Sequence, residues 1–298
     1  MDRLGKVTVS LLRMGSGRDL RLNLEKCLAL VERAAREGGQ IVVPPAFFRL
    51  PAFWRGMDYA QFKLAESIPG PTTEALSRAA SALGVVVVAS IFERRAAGVF
   101  HSSAAVIDAD GRLLGVYRQM HLCIDPGSQE GFYFSPGDLG FKVFETRFAR
   151  IGVLLGWDRW YPEAARIAAL AGARILVCPG AWCPRPVDGG VDPERQYSAW
   201  EAVQRSHAIA NCVFVAGANR VESEAGPPKH PDEAPPFWGR SLIADPSGRI
   251  AAKGGAGEEE IVAAECDLSE VDVVRTHWPF LRDRRLDAYR NIAGHSGE

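Results

Sequence analysis

Short apolar runs alternate with amphipathic ones along nearly the whole chain, and no other feature limits its fold so tightly. Val7, Val9 and Leu11 alternate with Thr8 and Ser10, the period of a half-buried strand. After Asp19, Leu24, Cys27, Leu28, Val31 and Ala35 recur at helical spacing, and Gly38-Gly39 stops the run near residue 36. Residues 41–43 form a short buried strand halted by Pro44-Pro45, residues 73–83 a helix ended by Gly84, and 85–92 an apolar strand. Strands over 100–108 and 112–117 flank Ala109-Asp110-Gly111, a hairpin signal. Two more follow over 142–144 and 150–155, then a helix over 162–171 with Pro162 in its first turn, and a strand over 175–178. A long helix over 192–211 and a strand over 213–218 come next. Strands over 242–244 and 249–252 flank Asp245-Pro246-Ser247-Gly248, and 261–267 closes the regular part.

Hairpins mixed with helical crossovers favour one α/β domain in which layered sheets are covered by helices. The pattern leaves strand order open and contains no tandem repeat. The proline-rich stretch 222–237 reads as a surface loop, because strand sequence resumes directly after it. One domain is therefore expected over 1–298, with a C-terminal extension from about residue 268.

The 298 residues can bury a sizeable core, and 47% apolar with 24% charged residues suits a soluble globular chain. A net charge of -1 argues against a nucleic-acid partner, and no apolar run is long enough to span a bilayer. No secretory leader is expected at the N-terminus. Six scattered cysteines, without CxxC or His/Cys metal spacing, point to reduced thiols and a cytoplasmic protein with no metal and no cofactor.

Several segments resemble the nitrilase superfamily of carbon–nitrogen hydrolases, most closely its N-carbamoylputrescine amidohydrolases. They are Tyr117-Arg118-Gln119-Met120-His121, Phe132-Tyr133-Phe134-Ser135-Pro136-Gly137-Asp138, residues 151–166, residues 200–211, Asn219-Arg220, the hairpin over 239–248 and Asp283-Arg284-Arg285. They run in family order over nearly the whole chain. The resemblance implies an α-β-β-α sandwich of four layers, and a dimer packed helix face to helix face, with the helices over 162–171 and 192–211 as the expected contact. It also implies a cysteine nucleophile, a glutamate base and a lysine that stabilises the oxyanion.

At those three positions this chain carries Gly156, Ala46 and Gln119. Replacing glutamate and lysine together removes one charge of each sign. Glycine suits the strained elbow where the family places its cysteine. The expected function is accordingly that of a catalytically degenerate binding, regulatory or structural subunit, as a homo-oligomer or beside an active homologue, with a small amide or amine as ligand. The alternative is a diverged hydrolase that cuts amides or N-carbamoyl amines by direct water attack, with Glu130 as base. Glu130, His121, Trp157, Asp158 and Trp182 are the candidate residual pocket.

Blander readings stand beside these. Glu130 can simply hold its loop by hydrogen bonds. Cys123, Cys178 and Cys183 are conceivable relocated nucleophiles, but buried apolar cysteines are commoner. Trp157, Trp160, Trp182 and Trp200 can be packing residues, and His207 a structural hydrogen-bonding residue. The acidic run Glu258-Glu259-Glu260 reads as a solvated turn.

Overall fold

A computed structural model describes residues 5–125, 128–183, 192–221, 237–289, 292 and 294. The proline-rich stretch expected as a loop lies outside these, apart from Phe237. The strands are β1 (Lys6–Arg13), β2 (Ile41–Val43), β3 (Val86–Ala96), β4 (Val99–Ile107), β5 (Leu113–Arg118), β6 (Ile124–Asp125) and β7 (Ser128–Gln129). They continue as β8 (Val143–Glu145), β9 (Arg150–Val153), β10 (Ile175–Pro179), β11 (Phe214–Ala218), β12 (Leu242–Ala244), β13 (Ile250–Lys253) and β14 (Glu260–Asp267). The α-helices are α1 (Leu20–Arg36), α2 (Pro71–Leu83), α3 (Glu130–Tyr133), α4 (Pro162–Leu170), α5 (Pro193–Asn211) and α6 (Ser269–His277).

Two six-stranded sheets run in the orders β14-β1-β2-β3-β4-β5 and β13-β12-β11-β10-β9-β8. Each has the same sequence of pairings from one edge: antiparallel, parallel, parallel, antiparallel, antiparallel. Helices α1 and α2 cross between the parallel strands of the first sheet, as α4 and α5 do in the second. The chain thus repeats a topology without repeating a sequence.

Side-chain alternation sorts the layers. Val7, Val9, Leu11, Ile41 and Val43 face Ile151, Val153, Ile175 and Val177 in the core between the sheets. Val42, Val85 and Val87 face Cys27, Val31 and Ala34 of α1 and Leu76 and Ala80 of α2. Leu154, Leu176 and Val215 pack against the alanines of α4 and Trp200 of α5. The order is therefore helix, sheet, sheet, helix, the sandwich that the resemblance implies. Each such aliphatic side chain contributes about 1.5–3 kcal/mol by leaving water.

The structure differs from the sequence reading in places with local causes. α2 starts at Pro71 rather than Thr73, because proline fits the first helical position and Thr73 Oγ1 accepts from the Gly70 N–H at 2.8 Å. The strand expected over 85–92 continues to Ala96, where it pairs with β4. Regular structure does not close at residue 267. α6 follows, with Glu270 and Asp272 in its first turn and Arg275 and His277 in its last, the charge order a helix dipole favours. The acidic run is exposed at Glu258 and Glu259, as a solvated turn would be, but it is also tethered. Glu259 accepts from the Gly15 N–H at 2.8 Å and pairs with Lys26, while Glu260 opens β14 and pairs with the fully buried Arg13 guanidinium. The buried cation draws that end of the run into the structure.

One ion pair fixes the exit of β5. Arg118 donates to both carboxylate oxygens of Glu93, Nε at 2.8 Å and Nη2 at 2.6 Å, and Nη1 reaches Asp138 at 2.8 Å. Burial pushes the Glu93 carboxyl up, but the bonds from Arg118 and Ser103 outweigh it and hold the group below its ordinary value. Arg118→Met leaves that carboxylate nearly buried and unpaired. Chemical denaturation should register a loss on the order of 3 kcal/mol, and a loss under about 1 kcal/mol would show the pair to be dispensable.

His207 of α5 is buried and donates Nε2–H to the Arg159 carbonyl at 2.8 Å. Burial pushes its pKa below the ordinary histidine value, against the smaller upward pull of that carbonyl. The unfolded chain therefore binds this proton more readily. The stability tied to the neutral ring is complete above about pH 6.5 and declines as pH falls below it. His207→Gln should flatten the fall in stability on the acid side of pH 6.5. An unchanged slope would mean that other groups cause it.

Candidate functional site

In open α/β sheets, ligands collect beyond the carboxyl ends of the parallel strands. Here those ends belong to β2, β9 and β10, with the exit of β5 beside them. Pro44-Pro45 end β2 by removing two N–H donors, and Ala46 follows, 6% exposed. Its N–H donates to the carbonyl of Gly180, just past β10, at 3.0 Å. One hydrogen bond thus joins the working ends of the two sheets.

Gly156 begins a 3-10 turn, Gly156–Trp160, two residues after Leu154. Its φ of +48° lies in the left-handed region where a side chain is strained, as the elbow expectation required. The space that a side chain would need is also taken. A Cβ at position 156 would stand 2.6 Å from both Nε2 and Oε1 of Gln119. Gln119 is firmly seated. Its N–H donates to Ser102 O, its carbonyl accepts from the Gly137 N–H, and Nε2 donates to Glu130 Oε2 and to His121 O, both at 2.8 Å.

Glu130 opens α3 and is 9% exposed. Besides Gln119, its Oε2 accepts from the Cys123 N–H at 2.7 Å. The carboxylate therefore braces the loop after β5 against the Gln119 amide. Asp158 is fully buried and accepts four bonds: Tyr117 Oη at 2.6 Å, Met120 N at 3.1 Å, His121 N at 2.8 Å and His121 Nδ1 at 2.7 Å. Burial, reinforced by Asp158, pushes the Tyr117 hydroxyl well above its ordinary pKa, so it stays a donor. The His121 ring stacks flat on Tyr161, centroids 3.7 Å apart. Glu130 and His121, the two groups considered for activating water, thus have different partners.

Trp157, Trp160 and Trp182 form a triangle with centroids 5.4–5.9 Å apart, and Trp238 extends it. Trp182 is held at its backbone, its N–H donating to Asn219 Oδ1 at 2.6 Å. Trp200 stands apart from these as a pocket candidate, being fully buried in the core beneath α5. Cys178 lies inside β10 with its thiol pushed up to about 12 by burial, which keeps it protonated and unreactive at neutral pH. Among the described residues, no group of three or more His, Cys, Asp and Glu side chains could hold a metal ion.

The sequence reading missed Arg159. It sits in the same turn as Gly156, fully buried, with Nε, Nη1 and Nη2 all lacking a hydrogen-bond acceptor. Its guanidinium carbon lies 5.5 Å from the Trp182 ring centroid and 5.7 Å from that of Trp200. The guanidinium abuts Gly180 so closely that a Cβ there would stand 2.1 Å from Nη1. Burial pushes its pKa down to about 10, opposed by Cys178 and Glu130, so it remains a cation at neutral pH. The turn after Gly156 therefore keeps a buried cation near the buried carboxylate of Glu130. An arginine between two tryptophans, directly after a buried strand, was the available signal.

The carbon–nitrogen hydrolase family model matches residues 8–276. The N-carbamoylputrescine amidase of Solanum lycopersicum is 39% identical over 285 residues, 95% of this chain and 94% of that protein. The citrullinase of Francisella tularensis is 34% identical, covering 97% of this chain and 99% of the relative. Among solved structures, a carbon–nitrogen hydrolase from Helicobacter pylori superposes with a TM-score of 0.90 at 38% identity, over 96% of this chain and 98% of that one. Saccharomyces cerevisiae Nit3, a member of the nitrilase superfamily, superposes with a TM-score of 0.78 at 25% identity, over 95% and 99%. Family match, full-length identity and shared topology agree, and the chain belongs to the carbon–nitrogen hydrolase family.

Proposed function

We propose that this chain recognises the amide or N-carbamoyl group of a small ligand at the carboxyl ends of β2, β9 and β10, without the thiol chemistry that a cysteine nucleophile would supply. One observation carries the reading: the place of a nucleophile at position 156 is filled by the Gln119 carboxamide. That carboxamide donates to Glu130 and to the His121 carbonyl, contacts of the kind that a bound amide's NH2 could make there. On this geometry the protein is a binding, regulatory or structural subunit.

The relatives favour a second reading. Proteins 34–39% identical over nearly the full length are named as amidases and a citrullinase. In that reading water attacks the carbonyl directly and Glu130 accepts its proton, once the ligand has displaced the Gln119 amide from Oε2. Ammonia release from N-carbamoylputrescine and from aliphatic amides separates the two. A binding subunit should fall about a million-fold below a nucleophile-bearing enzyme. Measurable turnover that Glu130→Gln abolishes would establish the hydrolase instead.

Restoring the thiol alone should fail. In Gly156→Cys the new side chain meets Gln119 and the backbone remains at a positive φ, a combined cost of about 2–4 kcal/mol that a thermal melt would show. The variant should also release no ammonia. The triple variant Ala46→Glu, Gln119→Lys, Gly156→Cys should exceed it in turnover by at least about a hundred-fold. Equal activity in the two would mean that the Gln119 amide is no obstacle.

A further inference from the structure

A second concavity lies apart from the residues described above. It is an open cleft of about 610 Å³, and Ala46, Gln119, Gly156 and Arg159 do not line it. Its volume suits one small ring with a short tail. Six of its nine lining residues are aromatic, so its walls are flat and apolar. Phe62 has its ring centroid 4.8 Å from that of Phe100 and 5.7 Å from that of Phe132. Tyr59 stands edge-on to Phe132 at 5.1 Å, yet it is 80% exposed, so most of its ring is left for another contact. Gly98 also lines the cleft, and a Cβ there would meet nothing within 4 Å.

The walls are already in place. Tyr133 Oη donates to Gly56 O at 2.6 Å and accepts from the Asp58 N–H at 3.0 Å, which pins the segment that carries Tyr59. Phe92 packs against both Phe62 and Phe100 and stacks on Phe53 at 4.7 Å. A ligand therefore has little to reorder on entering.

Charge is distributed unevenly around this cleft. Asp58 accepts from the Ala60 N–H and from Gln61 Nε2, both at 2.8 Å. Glu66 accepts from Arg49 and the Thr72 N–H, Glu93 is paired with Arg118, and Asp138 with Arg118 and Arg95. Arg94 differs: it is exposed and, among the described residues, has no ion-pair partner. It stands directly opposite Phe100 in the β3–β4 ladder and two residues after Phe92. Strand alternation thus puts Arg94 on the face that carries those two rings. Lys63, next to Phe62, is likewise exposed and unpaired. The walls are aromatic and the free charges beside them are positive.

We propose that this cleft binds a small aromatic carboxylate, its ring against Tyr59, Phe62 and Phe132 and its anion on Arg94. The assignment does not depend on the amide-binding reading of the other site. A guanidinium meets a carboxylate in two parallel bonds, while the rings take up the apolar body of the ligand. Aromatic faces by themselves would favour a cation. The sign of the charge preference therefore shows whether Arg94 decides it.

Three compounds with the same ring provide the test: phenylacetate, 2-phenylethanol and 2-phenylethylammonium, titrated into the full chain by ligand-observed NMR at neutral pH and low salt. Phenylacetate should bind at least about threefold tighter than the alcohol, and the ammonium compound weakest of the three. Arg94→Ala should lower phenylacetate to the affinity of the alcohol. Tyr59→Ala should weaken all three by at least about threefold. Both side chains are exposed, so both variants should melt as the wild type does. A preference for the ammonium compound, equal binding of all three, a carboxylate preference that survives Arg94→Ala, or binding untouched by Tyr59→Ala would overturn the assignment. So would failure of phenylacetate to bind at millimolar concentration. Should either variant melt early, the other and the wild-type series still decide the matter.

Discussion

Asp158 takes four hydrogen bonds in a setting with no solvent, and all three of its donor residues lie across the sandwich from it. Tyr117, Met120 and His121 leave β5 of the first sheet, whereas Asp158 follows β9 of the second. The carboxylate therefore fixes the distance between the two sheets at the end where their parallel strands finish. Gln119 lies between Tyr117 and Met120, so this clamp is also what presses its carboxamide onto Gly156. The arrangement of Glu130, Gln119 and Gly156 thus rests on this clamp together with the bonds of Gln119 to Ser102, Gly137 and Glu130. The Glu93–Arg118 pair supports the same strand from behind.

The second fixed point is the bond from Ala46 to Gly180. Together the two constraints tie the two sheets to each other at one end of the sandwich. The repeated topology explains why they can. The ends of β2 and β10, at matching places in the two sheets, meet there. A strand end stopped by Pro44-Pro45 thus faces one stopped by Pro179-Gly180.

Much of the architecture was legible because it is written in local periods. The alternation in β1, the stripe of α1 with Asp19 as its cap, and Pro162 at the start of α4 each specify their element by short-range physics. The topological repeat was not legible, since unlike residues can satisfy the same pairing pattern. The partners of Glu259 and Glu260 lie more than two hundred residues away in Lys26 and Arg13, and no local signal could join them. The site was half legible. Motif context gave the positions Ala46, Gln119 and Gly156, but it could not reveal that the Gln119 amide fills the space beside Gly156. Arg159 was missed for the same reason: only the fold shows that an arginine on a short turn points inward and finds no acceptor.

Charge accounting over the whole site changes how the three replacements are understood. Taken alone, glutamate to alanine and lysine to glutamine remove opposite charges and leave a neutral, stable remnant. With Arg159 included, the site holds a buried cation together with the buried carboxylates of Glu130 and Asp158, so it is not a neutral remnant. Replacing glutamate and lysine thus does not empty the site of charge.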